Sequence, residues 1–389
     1  MWRSDRLSEL ELSELVCRLV AADSDSMGEG EWKTTDLLEA FYRELGLFPR
    51  KQFCGESPQG KRRENVLLEF GKLHNPGRTL LYVGHTDVVP SGDPSLWTVP
   101  PYEPSIDRGR LYGRGSADMK GSLACTMEAV RRLKKVGGMW KNRIIFLYDV
   151  DEERENLGAR TYLAQKEAVD FILVGEPTGC TIGLGHRGVM AFTVCLHGES
   201  AHAACYEAGK NAVEAAAVMI GLVKELGQQL NQRQEFLGRP SVKVTMISGG
   251  SKVNMIPESC TLRIDRRLLP GETKESCFRE LFCLVKETEK KTGCKGELHV
   301  TTYCPPCGIR ADQKDVKRLA ACIREPKFSV FEASCEAGLF SETLGAPGVI
   351  FGPGSLKRAH VTDEYVELAE LYQAADVYEA FFRDFLERE

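Results

Sequence analysis

A chain of 389 residues with 42% apolar content is long enough for about two ordinary domains and can bury a sizeable core. Its 51 basic and 56 acidic residues nearly cancel, to −5, which argues against nucleic acid as the main partner because such partners select a basic surface. No apolar stretch reaches the ~18 residues of a membrane span, and residues 1–5, leading into Leu7-Ser8-Glu9-Leu10, lack the apolar segment of a signal peptide, so a cytoplasmic protein without a membrane partner is expected.

The first periodic segment sets Leu7, Leu10, Leu12, Leu15, Val16 and Leu19 on one helical face. A second helix is predicted over 33–45, carrying Leu37, Leu38, Phe41 and Leu45 and ending near Gly46. Residues 65–70 and 79–83 read as strands, the latter a continuous apolar run suited to burial on both faces. Leu123, Met127, Val130 and Leu133 mark a helix over 121–136. Strands follow at 143–150 and 171–174. This alternation predicts an α/β fold, a mainly parallel mixed sheet flanked by helices.

The pattern then changes. Strands at 189–196, 241–247, 260–264 and 298–303 alternate with helices at 211–230 and 272–290, in the order strand-helix-strand-strand-helix-strand. That order describes a small α+β unit of the split βαβ, ferredoxin-like kind. The last segment returns with a helix near 312–323, a strand at 348–351 and a terminal helix over 366–386. The expected organisation is one domain made of 1–179 and 303–389, interrupted by an inserted domain at 180–302.

Two motifs are set aside. Gly183-Leu184-Gly185-His186-Arg187-Gly188 matches G-x-G-x-x-G, but the strand-like Val189-Met190-Ala191-Phe192-Thr193-Val194 follows it where a dinucleotide site requires a helix. The 14 cysteines lie mostly in apolar contexts and read as small buried hydrophobes of a reducing compartment. The tight pair Cys304-Pro305-Pro306-Cys307 lacks a helix opening after it, so it reads as two linker thiols around a rigid Pro-Pro. With no G-x-S-x-G elbow, a serine hydrolase of that type is disfavoured.

Chemistry concentrates where strands end. The strand at 79–83 runs into Gly84-His85-Thr86-Asp87, the strand at 143–150 into Asp151-Glu152-Glu153, and the strand at 171–174 into Gly175-Glu176-Pro177. In open α/β sheets functional groups gather at the carboxyl ends of strands. Taken singly, His85 can be a structural histidine, Asp118 a cap for the helix that follows, and Asp151-Glu152-Glu153 a solvated loop. Three strands ending in possible ligands, with Asp118 and His360 besides, suit a two-metal hydrolytic site of histidine nitrogen and carboxylate oxygen.

Gly84-His85-Thr86-Asp87, Ser116-Ala117-Asp118-Met119-Lys120-Gly121, Asp151-Glu152-Glu153, Glu176-Pro177 and His360-Val361-Thr362-Asp363-Glu364 together resemble the di-zinc metallohydrolases that include acetylornithine deacetylase, succinyl-diaminopimelate desuccinylase and carboxypeptidase G. Phe351-Gly352-Pro353-Gly354-Ser355 and Glu336-Ala337 are most similar to the acetylornithine deacetylase branch. The resemblance implies two zinc ions per chain, with cobalt or manganese as substitutes: His85 and Glu176 on one, Glu153 and His360 on the other, and Asp118 between them. It implies Glu152 as general base, Asp87 orienting His85, His202 at the scissile carbonyl across a homodimer formed through the inserted domain, and Asn254 and Arg267 as substrate-binding residues. The implied reaction removes the acyl group from an N-acyl amino acid, as in arginine biosynthesis. A dipeptidase or carboxypeptidase, and a silent metal-free binder of the same fold, are the alternatives. Ala333-Ser334-Cys335 and Gly338-Leu339-Phe340 depart from the family's usual residues in a pocket-shaping stretch, so acetylornithine is one candidate among several substrates.

Overall fold

The computed structural model describes residues 6–27, 30–57, 59–205 and 208–388; the N-terminal residues 1–5 lie outside them. The chain divides into two compact units, Met1–Gly185 with Gly308–Glu389, and His186–Cys307.

In the first unit the continuous apolar runs become the middle of an eight-stranded mixed sheet. Its order is Arg50–Glu56, Arg62–Gly71, Arg143–Asp149, Thr79–His85, Phe171–Val174, Gly348–Ile350, Ile182–Gly183, Phe328–Ser329. The four central strands run parallel. Almost every residue in them is buried, as expected where helices cover both faces. Tyr82, Phe146, Tyr148, Tyr378 and Phe382 pack together in the core, joining the sheet to the terminal helix Leu368–Glu387. Their hydroxyls are satisfied internally: Ser122 Oγ lies 3.1 Å from Tyr82 Oη and 2.8 Å from Tyr378 Oη.

Differences from the sequence reading have local causes. Arg50–Glu56 is a partly exposed outer strand whose Lys, Gln, Gly and Glu carry little strand signal. The terminal helix begins at Leu368, not 366, because Tyr365–Glu367 pairs with Arg110–Tyr112. Thr79–His85 extends two residues further than expected, so His85 itself is the last residue of a buried strand. Short helices at Leu157–Leu163 and Glu336–Leu344 were not expected.

In the second unit four antiparallel strands lie in the order Ser241–Gly249, Ser259–Leu268, Gly188–His197, Lys295–Cys304. Alternate residues Met190, Phe192, Val194 and Leu196 are buried with residues of the helices Ala212–Leu230 and Lys274–Thr292. Asn211 caps the first helix by accepting the N–H groups of Val213 and Glu214, which is why that helix starts where the sequence placed it. The segment after the G-x-G-x-x-G match is indeed strand Gly188–His197. Cys304 ends the strand Lys295–Cys304 and Cys307 opens the two-residue strand Cys307–Gly308. Among the described residues no helix is long and apolar enough to cross a membrane.

Candidate metal centre

The four central strands of the large sheet are neighbours and parallel, so their carboxyl ends open on one edge. His85 ends one of them, Glu152 and Glu153 follow the second, Glu176 the third, and the chain after the fourth returns to His360. Asp118 arrives from an irregular turn, Ser116–Lys120, whose Asp118–Met119 peptide is cis.

These side chains converge. One ligand atom each from His85, Asp118 and Glu176 lies within 4.8 Å of the others, and the same holds for Asp118, Glu153 and His360, and for His85, Glu152 and Glu153. Asp118 sits between the two imidazoles. Its Oδ1 is 3.1 Å from His85 Nε2 and its Oδ2 is 3.2 Å from His360 Nε2. His360 Nε2 is also 2.9 Å from Glu153 Oε1, and His85 Nε2 is 4.0 Å from Glu176 Oε1. His85 Nδ1 lies 2.9 Å from the carbonyl oxygen of Asp87, an arrangement in which Nδ1–H donates and Nε2 turns its lone pair toward the cluster.

The carboxylate of Asp87 lies beside the His85 ring and also reaches the loop after the neighbouring strand. It stands 3.6 Å from Nδ1, while its two oxygens accept the backbone N–H groups of Glu152 at 3.1 Å and Glu153 at 3.2 Å. Asp87 therefore ties the end of one strand to the loop after its neighbour.

Electrostatics supply the test of whether metal fits. Burial drives the Glu152 carboxyl well above its usual range against the pull of His85, and Glu176, Glu153 and Asp87 add to the rise. Burial and Asp118 push Glu176 to about 8. Hydrogen bonds from His360 and His85 hold Asp118 below the usual carboxylate range in spite of its burial. Asp118 and Glu153 raise His360 to about 10. For His85, burial favours the neutral ring, but Asp118 and Asp87 raise it well above an ordinary imidazole. Five carboxyl groups thus crowd around two imidazoles in a cluster that runs from buried His85 to half-exposed His360, an excess of negative charge that cations would offset. Nitrogen and oxygen donors in this ratio suit a pair of divalent ions.

Sequence reasoning passed over the groups that hold the ligands. Glu364 Oε1 accepts the N–H groups of Ala117 at 2.9 Å and Asp118 at 3.1 Å, and its other oxygen pairs with buried Arg114. The buried carboxyls of Asp149 and Glu336 act on each other electrostatically, and Glu152 acts on Glu336. Burial raises both, Asp149 to about 6. These partners lie far apart in the chain, and only the motif context of Glu364 and Glu336 pointed toward them.

The remaining expected site residues belong to the second unit. His202 ends the two-residue strand Ala201–His202, which pairs with Met255–Ile256, and Ala203 N–H donates to Asn254 O at 3.0 Å, so His202 and Asn254 are neighbours. Arg267 lies on the inner strand Ser259–Leu268, with Nε 3.0 Å from Asp265 Oδ1. Its neighbour Arg266 is fully buried against Glu272 and Glu280 and has a structural task.

Residues 81–384 match the model of peptidase family M20/M25/M40, which covers most of the first unit and all of the second. The chain belongs to this family. The M20 chain is 31% identical over 360 residues to an acetylornithine deacetylase of Klebsiella pneumoniae (strain 342), spanning 90% of this chain and 89% of that protein. Its fold is similar to that of aminopeptidase PepT from Bacillus cereus, with a TM-score of 0.79 at 20% identity over 96% of this chain and 98% of that one. It is also similar to the YXEP protein of Bacillus subtilis, described as a dinuclear metal-binding peptidase, with a TM-score of 0.72 at 16% identity over 96% and 97% of the two chains. The protein is therefore an M20 hydrolase, of a family that includes peptidases and a deacetylase, and its His/Asp/Glu cluster has the makings of a metal site.

Proposed function

We propose that this M20 hydrolase removes the acyl group from an N-acyl amino acid, with acetylornithine the favoured substrate. The observation that carries the reading is Asp118, whose two oxygens face two different imidazoles while Glu152 stays beside them. In this reading His85 and Glu176 hold one ion, Glu153 and His360 the other, and Asp118 serves both. Zinc is the favoured metal, with cobalt or manganese able to replace it. When bound, the ions supply Lewis acidity and make a water acidic near neutral pH.

The chain's own residues carry the proton. Glu152 is half-buried, and its carboxyl is raised by desolvation and by neighbouring carboxylates, which suits a base that takes a proton from water and returns it to the leaving amine. Asp87 fixes the backbone of that base through the N–H of Glu152. In the second unit, His202 Nδ1 accepts the N–H of Ala204 at 3.1 Å, which leaves its proton on Nε2, the form that donates to a developing oxyanion. Asp265 engages Nε of Arg267, and the planar fork of the guanidinium suits a substrate carboxylate. Asn254, adjacent to His202, completes the substrate-binding set. The inserted unit, roughly 180–302 from the sequence, acts as lid and dimerisation domain in this reading. Its outer strand Ser241–Gly249 exposes Met246 and Ile247, a strand edge of the kind that pairs with a second copy.

The deciding experiment is an assay of N-acetyl, N-succinyl and N-formyl amino acids beside dipeptides, with added zinc or cobalt. Faster turnover of N-acetylornithine than of any dipeptide supports the reading. Turnover of dipeptides alone makes the protein a peptidase, and a chain that holds no metal and hydrolyses nothing is a binder.

A further inference from the structure

Arg63 is the second residue of the strand Arg62–Gly71 and is nearly inaccessible, with 6% of its surface exposed. Its guanidinium meets three partners. Nη1 donates to Asp151 Oδ1 at 2.6 Å, Nη2 donates to the carbonyl of Ser26 at 3.2 Å, and Nε lies 2.7 Å from Glu31 Oε2. Glu31 also reaches Asp151, accepting its backbone N–H at 3.0 Å. Asp151 is thereby gripped by side chain and backbone at once. Its second oxygen accepts the N–H groups of Glu155 at 3.3 Å and Leu157 at 3.4 Å, closing the turn that follows.

The grip has a reason. Asp151 has φ 67°, in the left-handed region that side-chain-bearing residues disfavour, so the conformation persists only where its surroundings enforce it. The next two residues are Glu152 and Glu153. Their N–H groups are held by Asp87 on one side, and the turn that carries them is held by Arg63 and Glu31 on the other. Charge works in the same direction. Glu31 and Asp151 are buried carboxyls close to Asp87, and loss of the guanidinium leaves them facing one another uncompensated.

We propose that Arg63 is a positioning residue for the hydrolytic centre: through Asp151 it fixes the turn that presents Glu152 and Glu153, without itself touching substrate or ion. The inference rests on the reading of Glu152 as general base. A lysine cannot reproduce it, because a single ammonium lacks the planar fork that meets Asp151, Glu31 and Ser26 together.

The test uses the full chain and the variants R63M, R63K and E31Q. Hydrogen exchange of residues 151–157 is measured by mass spectrometry, and kcat and KM are measured at saturating zinc. In R63M, residues 151–157 should exchange faster while the helices Gly121–Val136 and Leu368–Glu387 keep wild-type protection. Its kcat should fall about 10- to 100-fold with KM little changed, and R63K should recover only part of the loss. If R63M does not fold, R63K and E31Q decide, since E31Q loosens the same turn and leaves the guanidinium in place. Wild-type protection of 151–157 in every variant that folds overturns the proposal. Protection lost evenly across the whole unit also overturns it, because that marks a merely structural arginine. A wild-type chain that hydrolyses none of the amides defeats the functional reading instead, and the exchange data then decide alone whether Arg63 holds the turn.

Discussion

Glu364 accepts the backbone N–H of Asp118 at 3.1 Å, although 246 residues separate them. The contact locks the turn bearing the proposed shared ligand to the segment bearing His360. Arg114 balances the buried Glu364 charge. Removing the carboxylate in E364A strands a buried guanidinium, so we expect a loss of about 3–5 kcal/mol in urea unfolding. E364Q keeps an acceptor for the two N–H groups and should lose less. Metal affinity, measured by competition with a chelator, should weaken about 10- to 100-fold in E364A.

Glu152 and His360 are expected to fail in different ways. E152Q removes the base but none of the five proposed ligands, so elemental analysis should find wild-type metal content while turnover falls about 10²- to 10⁴-fold. H360A removes a ligand and should lower metal content. Chelation of the wild type should abolish hydrolysis and added zinc should restore it. An E152Q variant with wild-type turnover would remove Glu152 from the mechanism.

Much of this centre is legible in the sequence because the strands that build it are buried on both faces. Such strands appear as continuous apolar runs, and three of them stop at His85, Asp151-Glu152-Glu153 and Glu176. Binary patterning also exposes the βαββαβ order of the second unit. What the sequence hides is long-range polar support. Arg63 with Asp151, and Glu364 with Asp118, join residues whose local contexts are ordinary charged surface by composition. Asp87 shows both sides at short range. Its spacing from His85 predicts a partner for the ring, while the N–H groups of Glu152 and Glu153 that its carboxylate also accepts come from the loop of another strand and leave no local signal. Residues 366–367 of the strand Tyr365–Glu367 read as helix in the sequence because the strand's partner, Arg110–Tyr112, lies far back in the chain.

Gly175 gives a steric prediction. It links the strand Phe171–Val174 to Glu176, and a Cβ built there would lie 2.1 Å from Tyr82 Oη and 2.6 Å from both Met119 Cε and Ser122 Oγ. These atoms belong to the packed core and to the turn after Asp118, so they cannot all give way. G175A should cost about 1–3 kcal/mol through overpacking and shift Glu176 outward. Thermal unfolding should show the lower stability, and metal titration should show weaker binding. Unchanged metal affinity in a destabilised G175A would separate the core defect from the site.

Lys120 sets a pH dependence of stability. It is fully buried, and its Nζ donates to the carbonyl of Leu19 at 2.8 Å. Burial lowers its pKa from 10.5 to about 7, against the opposing pull of Asp23, Glu364 and Asp87. The unfolded chain therefore binds more protons than the folded one between about pH 7 and 10.5, and in that window this group makes stability rise with pH. The contribution is complete above the unfolded value and is lost as the pH falls through about 7. K120M keeps an unbranched chain of similar length and removes the titration. Urea unfolding of the metal-free protein at a series of pH values should give a flatter profile between pH 7 and 10 for K120M than for wild type. Parallel profiles would mean that Lys120 keeps its proton in the fold, with the three carboxylates outweighing its burial.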